Sequence, residues 1–344
     1  MAGGRRGIRD VAKRAGVSTA TVSRTLSTPD RVTAPTRDRV LAAISDLGYT
    51  PNAAAQNLRG RRAMTVLIVV PRLNNPFMAS LVRELNNAFT AQGYGVIVAD
   101  LARDEPDRNA KARRLIEFVW SGKIDGVISM LGHVPAYDGR SLEDTMVPLL
   151  GLCVPLQSTR WPSLMTDDRV AAHDATRRLI ALGHRELVYL GGRDDNANEQ
   201  ARYEGFRTAI EEGDARATRI AGRFSLESGA EQARAFLDGG TTATGIVASA
   251  DENAIAFMSV MRNAGYEVPQ DLSVIGFDGL ELSRYVWPSL ATMVQPTDDL
   301  ARRGVDMLVG MMRDGAPSEG GAVHMVPAAF RDGGSLAPPS FATA

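Results

Sequence analysis

Residues 8–26 read IRDVAKRAGVSTATVSRTL, and this stretch decides how the N-terminal end of the chain folds. Its apolar side chains recur at helical spacing on one face of a first predicted helix, namely Ile8, Val11, Ala12 and Ala15. We expect that helix to end at Gly16, since glycine readily adopts the left-handed conformation that closes a helix. Ser18 can cap a second helix, from which Val22 and Leu26 turn inward. The spacing therefore predicts two short helices joined by a tight turn.

A third predicted helix completes a small bundle. Thr33 can cap it, Pro35 lies in its first turn, and Gly48 is expected to end it. Its apolar positions are Val40, Leu41, Ile44 and Leu47. We therefore predict an all-α helix-turn-helix headpiece over residues 1–50.

The second predicted helix turns small polar side chains and one guanidinium away from the bundle. Such a face can enter the major groove of DNA, where side chains contact base edges. The residues of this helix that we expect to contact DNA are Thr19, Ala20, Thr21, Ser23 and Arg24.

The distribution of charge agrees with a nucleic-acid partner. The 344 residues have a net charge of −1, but residues 1–62 hold twelve Arg or Lys against four Asp or Glu, which is +8. The other residues hold 27 basic against 36 acidic side chains, which is −9. A basic module on an acidic body is an electrostatic pattern of DNA-binding proteins. Basic segments are also often only solvated, so the charge alone leaves both interpretations open.

Residues 51–62 form a predicted hinge helix and linker. Asn52 can cap a short fourth helix, and Leu58 lies next to Arg59 and two further arginines. A leucine among arginines suits an apolar wedge in the minor groove, flanked by phosphate contacts. The alternative is a helical linker whose leucine packs on the neighbouring domain. The DNA contacts expected from this segment are Asn52, Ala55, Leu58 and Arg59.

From residue 63 onwards, short apolar runs alternate with helical segments. The runs are rich in Val, Ile and Leu and comprise Val66–Val70, Gly95–Ala99, Gly126–Met130, Val147–Leu150, Leu187–Leu190, Gly245–Ala250 and Leu272–Phe277. Such strands between helices indicate parallel sheets that are buried on both faces, and two sheets are needed to house them. We predict an α/β body of two doubly wound subdomains over residues 63–331 and a flexible tail over residues 332–344.

Several function classes find no support in the residues. No apolar stretch is long enough for a signal peptide or a membrane span, so we expect a cytoplasmic protein. Cys153 is the single cysteine, which excludes an intramolecular disulfide or a zinc cage and favours a small buried side chain. The four histidines lack metal-ligand spacing, and no nucleotide-binding glycine pattern or hydrolase nucleophile motif occurs. We therefore expect no cofactor and no enzymatic activity.

The chain resembles the lactose-repressor/galactose-repressor (LacI/GalR) family of bacterial transcription factors in an ordered series of motifs. They include Asp10–Ala12, Ala15–Ser18, Thr21–Arg24, Leu47–Tyr49 and Pro51–Ala55 in the headpiece, and Asn75–Phe77, Ile124–Ile128, Leu182–Arg185, Arg202–Phe206, Val268–Asp278 and Leu290–Pro296 in the body. The resemblance implies that Thr19, Ala20 and Arg24 read bases and that Leu58 pries open a central base step of the operator. It also implies a body like a periplasmic sugar-binding protein, crossed three times by the chain, with a small effector between its subdomains.

The resemblance places the N-subdomain at about residues 63–163 and 292–320, and the C-subdomain at about 164–291 and 321–331. Ligands bind such folds at the strand ends that face the cleft. The matching positions are Phe77, Met78, Asp167, Asn196, Asn198, Arg202, Phe224, Asp251 and Asp278. Carboxylates and an arginine can bind vicinal hydroxyls, and an aromatic ring offers a face to a sugar, so a carbohydrate is the expected effector. A helix cap is an equal alternative for Asp167.

The chain departs from the family pattern at this cleft. Ala250 stands where asparagine is frequent, Asp168 replaces a common asparagine, and Leu152–Pro162 lacks the usual aspartate. These differences leave the identity of the effector open.

We expect a transcriptional regulator, and we favour a repressor over an activator. It is expected to bind a pseudo-palindromic operator as a homodimer, with its DNA affinity controlled by the effector. One alternative is a solute-binding protein, which the headpiece and the missing signal peptide oppose. The other is a sugar-processing enzyme, which the absence of a nucleophile–base or paired-carboxylate signature opposes.

Overall fold

The computed structural model describes residues 7–27, 29–48, 62–101, 107–315 and 320–340. The chain divides into two compact units, Met1–Met64 and Thr65–Ala344, which correspond to the headpiece and the body.

The headpiece contains three helices, α1 (Ile8–Ala15), α2 (Thr19–Ser27) and α3 (Ala34–Leu47), with a short 3-10 turn at Pro29–Arg31. Gly16 and Gly48 end α1 and α3 in the left-handed conformation, with φ of 66° and 56°. Ser18 Oγ accepts the backbone N–H of Thr21 at 3.1 Å and so caps α2. The predicted helix-turn-helix is therefore confirmed, with its helix ends at the expected residues.

The core of the headpiece is small. Val11, Val22 and Val40 are fully buried, and Leu26 packs against them. Leu41 differs from its predicted place, because it follows Val40 on α3, points away from this core and is 48% exposed.

The body alternates strands and helices. Its strands are β1 (Thr65–Val70), β2 (Gly95–Asp100), β3 (Gly126–Ser129), β4 (Ala136–Tyr137), β5 (Arg140–Ser141), β6 (Leu149–Leu152), β7 (Ser163–Thr166), β8 (Glu186–Leu190), β9 (Arg216–Ile220), β10 (Gly245–Ala248), β11 (Ser273–Asp278), β12 (Ala291–Val294), β13 (Val323–Val326) and β14 (Ala329–Arg331). Its helices are α4 (Pro76–Ala91), α5 (Arg108–Trp120), α6 (Asp168–Ala181), α7 (Ala197–Glu212), α8 (Leu226–Asp238), α9 (Asp251–Asn263) and α10 (Thr297–Asp314).

Two six-stranded sheets organise the body. The first has the order β13-β7-β6-β3-β1-β2 with parallel pairs, and the second has the order β14-β12-β11-β10-β8-β9, in which the β12–β14 pair is antiparallel. The central strands β1, β3, β10 and β11 are buried almost throughout because helices cover both faces of each sheet. The predicted pair of doubly wound α/β subdomains is confirmed.

The chain passes between the sheets three times, after β7, after β12 and after β13. These crossings differ by a few residues from the expected boundaries. Residues 164–166 and 323–326 pair within the first sheet, where Val323 lies opposite Ser163, and residues 292–294 pair within the second, where Thr292 lies opposite Gly276. Such short strands carry little periodic signal of their own, so their pairing partner decides the sheet to which they belong.

The expected flexible tail is packed over its described part. Ser335 is fully buried, and its hydroxyl donates to the carbonyl of Val274 at 2.6 Å and accepts the N–H of Ala291 at 2.9 Å. The carbonyl of Ala337 lies 3.0 Å from Nε2 of His184. Hydrogen bonds therefore hold residues 332–340 against the second sheet. Their Gly- and Pro-rich composition does not predict these bonds.

Candidate functional site

The carboxyl ends of the two sheets meet in the body. Nδ2 of Asn198, which follows β8 in the second sheet, donates to the carbonyl of Cys153, which follows β6 in the first, at 2.7 Å. Nδ2 of Asn75, which follows β1, donates to Oε2 of Glu252, which follows β10, at 2.8 Å. Both bonds cross from one subdomain to the other. The region between them is called the cleft here, and it is the place where open α/β sheets bind ligands.

Arg202, on α7, is the central side chain of the cleft, and the residue is only 4% exposed. Its Nε donates to Oδ1 of Asp168 at 2.9 Å, and its Nη1 donates to the carbonyl of Ser249 and lies 3.7 Å from Oδ1 of Asp278. The guanidinium carbon lies 3.7 Å from the ring centroid of Phe277. A planar, permanently charged guanidinium suits such a site, because it can pair with carboxylates and stack on a ring at the same time.

An ion pair with Asp278 and two hydrogen bonds join this arginine to the crossings between the subdomains. Oδ1 of Asp278 accepts from Nε2 of Gln295 at 2.7 Å, and Oε1 of Gln295 accepts from the hydroxyl of Thr166 at 2.9 Å. Thr166 ends β7, and Gln295 follows β12. Asp278 itself has a φ of 111°, which is strained for a residue with a side chain and is of the kind found at functional sites.

Burial governs the ionisation of the carboxyl groups in the cleft. It raises the pKa of Asp278 to about 7 even though the positive charge of Arg202 acts in the opposite direction. It also raises the pKa of Asp168, again against Arg202. Cys153 is buried as predicted, and burial, with a contribution from Asp168, raises the pKa of its thiol. This thiol is therefore protonated and chemically quiet at neutral pH.

The structure brings Arg202, Asp278, Asn198 and Phe224 to the cleft, whereas Asn196 has a helix-capping role. Arg202 and Asp278 are paired, and Asn198 lies one turn before Arg202 on α7. The ring of Phe224 is half-buried, with its centroid 5.5 Å from the guanidinium carbon of Arg202. Asn196 begins α7, where its side chain accepts the N–H groups of residues 198 and 199 at 2.9 and 3.1 Å.

The remaining predicted contacts have other structural roles. Asp167 Oδ1 accepts the N–H of Val170 at 3.0 Å, which is the helix-capping alternative. Phe77 is 6% exposed and belongs to the hydrophobic core of the first subdomain, against which Met78 packs.

The carboxylate of Asp251 binds other residues of the protein, which differs from its expected role as an effector contact. Its Oδ1 accepts from the hydroxyl of Thr292 at 2.6 Å, its Oδ2 accepts the N–H of Leu280 at 2.7 Å, and the residue is fully buried. Both oxygens are therefore occupied, and the site that we propose below does not include Asp251.

Sequence reasoning missed several residues of the cleft. Asp168 entered only as a departure from a family pattern, yet it is the closest carboxylate partner of Arg202. Thr166 ends β7 and Gln295 follows β12, two strands that the apolar runs did not reveal, so no strand-end signal pointed to them. Ser249 was predicted to be part of a strand, whereas β10 ends at Ala248 and leaves Ser249 at the cleft.

The headpiece presents the predicted reading positions on α2. Thr19, Ala20 and Arg24 are exposed, and Thr21 and Ser23 are half-buried. The predicted hinge contacts Asn52, Ala55, Leu58 and Arg59 lie outside the described residues.

The described parts of the chain contain neither a candidate metal site nor a candidate membrane span. No group of three or more His, Cys, Asp or Glu residues there is arranged to hold a metal ion. No helix there has the length and apolar character that crossing a membrane requires.

Comparison with known proteins gives the same division of the chain. The family model for bacterial regulatory proteins of the lacI family matches residues 7–52, and the model for a periplasmic binding protein-like domain matches residues 176–336. The catabolite control protein A of Priestia megaterium is 31% identical over 310 residues, which cover 89% of this chain and 92% of that protein.

Solved structures agree over nearly the whole length. A lac repressor dimer bound to operator and the anti-inducer ONPF superposes with a TM-score of 0.83 at 25% identity, covering 96% of this chain and 99% of the other. The complex of the transcriptional regulator CelR with cellobiose gives a TM-score of 0.72 at 26% identity, covering 96% of this chain and all of the other. These relatives are regulators and not enzymes, and the chain belongs to the LacI family of bacterial transcriptional regulators.

Proposed function

We propose that this protein is a repressor that binds a pseudo-palindromic operator as a homodimer and that a small, hydroxyl-rich effector in the cleft controls its affinity for DNA. The observation that carries this proposal is the buried arrangement around Arg202, which lies where both subdomains meet and is connected to the crossings between them. The protein acts in the cytoplasm, because the bacterial DNA that it binds lies there.

In this proposal α2 reads the operator. Thr19, Ala20 and Arg24 are exposed on α2 and meet base edges in the major groove, with Thr21 and Ser23 beside them. The net charge of +8 over residues 1–62 supplies contacts to phosphates, which makes affinity dependent on salt. Leu58 wedges into the minor groove between the two half-sites, with Asn52, Ala55 and Arg59 around it. The similar lac repressor structure is a dimer bound to operator, which supports operator binding by a dimer.

The effector binds to side chains at the strand ends of the second subdomain. Arg202 and Asp278 are positioned to bind vicinal hydroxyls by charge-assisted hydrogen bonds, and the amide of Asn198 lies beside them. The half-buried ring of Phe224 offers an apolar face. The regulator CelR, whose structure was solved as a complex with cellobiose, is similar to this chain, which supports a carbohydrate as the effector.

Control of DNA binding follows from the position of the site. A ligand shifts a conformational balance only by its different affinity for the two states. Here Asp278 touches the ligand site and also bonds to Gln295, which in turn bonds to Thr166, so a ligand that moves Asp278 acts on two of the three crossings. The bonds of Asn75 to Glu252 and of Asn198 to Cys153 change when the subdomains rotate.

The homodimer has a candidate surface in the second subdomain. Leu282, Tyr285 and Trp287 are 54%, 75% and 81% exposed within six residues. Large apolar side chains that are clustered on a surface mark sites of protein association. We assign this surface to pairing with a second copy of the chain, since a two-fold symmetric protein matches a two-fold symmetric operator.

Selection of random DNA duplexes by the full chain tests the proposal. We expect it to enrich one two-fold symmetric sequence. The variant Arg24→Ala should bind that sequence roughly 10- to 100-fold more weakly, while its binding to unrelated DNA changes little, because one bidentate base contact contributes about 1–3 kcal/mol. Arg39→Ala, an exposed arginine on α3, is the matched control. Failure to enrich a symmetric sequence, or equal losses on both kinds of DNA for Arg24→Ala, would contradict the proposal.

A further inference from the structure

Three buried oxygen atoms in the cleft have no hydrogen-bond partner among the described residues: Oδ2 of Asp168, Oδ1 of Asn198 and Oγ of Ser249. The three residues are 2%, 8% and 1% exposed. An unpaired polar atom in the interior loses its bonds to water without replacement, so such atoms are rare and call for a partner.

Asp168 and Ser249 contact Arg202 through other atoms, and Asn198 lies one turn before Arg202 on α7, yet Arg202 does not satisfy the three oxygen atoms. Its Nε bonds to the other oxygen of Asp168, and its Nη1 bonds to the backbone carbonyl of Ser249 and not to the hydroxyl. The amide of Asn198 has a settled orientation, because its Nδ2 donates to the carbonyl of Cys153 and its oxygen is therefore the free atom. Two of the three atoms can only accept hydrogen bonds, and the serine hydroxyl can accept as well.

The charges of the cleft are also unbalanced. Arg202 is one cation between two buried carboxylates, Asp168 and Asp278. Arg219 does not correct this difference, because it pairs with Glu199 at 2.9 Å and with Asp194 at 2.6 Å. Burial raises the pKa of both Asp168 and Asp278, and the charge of Arg202 opposes the rise at each of them.

We propose that the effector carries a protonated amine among its hydroxyls, as an aminohexose does, and that Asp168, Asn198 and Ser249 bind this ammonium group. This inference rests on the effector site proposed above and names the chemical class of its ligand. An ammonium group has three donors and no acceptor, which matches three unpartnered acceptors, and its charge balances the second carboxylate. A neutral hydroxyl brings one donor, together with lone pairs that the oxygens of Asp168 and Asn198 cannot use.

Binding of matched sugar pairs to the full chain tests the proposal. The probes are glucosamine, galactosamine and mannosamine, each compared with its neutral hexose and with its N-acetyl derivative, in calorimetry and in thermal unfolding at pH 7. We expect at least one amine to raise the melting temperature and to bind at least tenfold more tightly than its neutral and N-acetyl counterparts.

Asp168→Asn connects the preference to the cleft. Asparagine has the same shape and keeps an oxygen for Nε of Arg202, but it replaces the free acceptor by a donor. The preference for the amine should fall at least tenfold in this variant, while a neutral hexose binds no worse. Asp174→Asn, which removes a carboxylate from the outer part of the same helix, should keep the preference.

Each of the other results would overturn the proposal. Neutral hexoses that bind as tightly as the amines would show a neutral effector, and an amine preference that survives Asp168→Asn would place the ammonium elsewhere. The absence of any response to the three amines would exclude an aminohexose. None of these results changes the enrichment of a symmetric DNA sequence. The DNA selection experiment therefore tests the regulatory function separately.

Discussion

The guanidinium of Arg202 is buried with two carboxylates and a carbonyl as partners, and this single residue concentrates most of the polar chemistry of the cleft. Removing one partner of a buried charge pair leaves the other charge unsatisfied in a low-dielectric interior. Arg202 therefore holds the cleft together, in addition to the effector contact that we propose for it. Binding of the matched sugar pairs separates these two contributions, because it leaves Arg202 unchanged.

The carboxyl group of Asp251 is buried, and its ionisation differs between the folded and the unfolded chain. Burial, together with the nearby charge of Asp278, raises the pKa of Asp251 to about 8. A carboxyl group in the unfolded chain titrates near 3.9. The folded chain therefore holds the proton more tightly, so the stability that this group contributes is fully present below about pH 4 and is lost as the pH rises through about 8.

We therefore expect the free energy of unfolding of the full chain to fall between pH 6 and pH 8, by up to about 1.4 kcal/mol per pH unit from this one group. Asp251→Asn imitates the protonated carboxyl, because its amide can donate to the hydroxyl of Thr292 while its oxygen accepts from Leu280. The variant should show a shallower pH dependence in urea unfolding. Exposed Glu204→Gln should retain the slope of the original chain. Parallel slopes for the original chain and Asp251→Asn would show that Asp251 is ionised in the fold.

At the scale of elements, α6 and α7 approach each other closely through a glycine. A Cβ atom on Gly205 of α7 would lie 2.0 Å from the carbonyl oxygen of Arg169 on α6. This approach places Asp168, at the start of α6, within reach of Arg202, one turn before Gly205. Gly205 therefore allows the close helix packing that brings Asp168 and Arg202 together in the cleft.

Gly205→Ala should destabilise the body by about 1–3 kcal/mol, because a backbone carbonyl cannot move aside as a flexible side chain can. Gly310→Ala on α10 is the matched control, since a Cβ there meets nothing within 4 Å. It should raise stability by about 0.5–1 kcal/mol through the higher helix propensity of alanine. Urea unfolding of both variants gives the comparison, and equal effects of the two substitutions would contradict the packing role of Gly205.

The sequence predicts the strands that contain a long apolar run, and it misses strands that are defined mainly by their backbone pairing with a neighbour. The long apolar runs gave β1, β3 and β11 within one or two residues. β9, with the sequence Arg216–Ile220, lies at the edge of its sheet and is largely exposed, so it has no apolar run to detect. A strand at an edge needs fewer buried side chains than a central one, and its backbone bonds to a neighbour define it instead.

At the scale of the whole molecule, the surface of Leu282, Tyr285 and Trp287 is expected to join two copies. Trp287→Glu should shift the full chain from dimer towards monomer at micromolar concentration in light scattering coupled to gel filtration, because a carboxylate would lose its water in the interface. Met146→Glu, at a residue of the first subdomain that is 84% exposed, should leave the dimer intact. An unchanged dimer for Trp287→Glu would move the pairing surface elsewhere.

The spacing of apolar residues, the capping residues and the order of motifs predict the helix-turn-helix and the two doubly wound sheets, and the family resemblance places Arg202 and Asp278 at the cleft. Only the tertiary structure decided which carboxylate pairs with Arg202, that Asp251 turns inward to Thr292, and that Gln295 and Thr166 connect the cleft to the crossings. The physical reason is distance along the chain. These partners are separated by 34, 41 and 129 residues, and their bonds depend on how helices and strands pack, which no local pattern records.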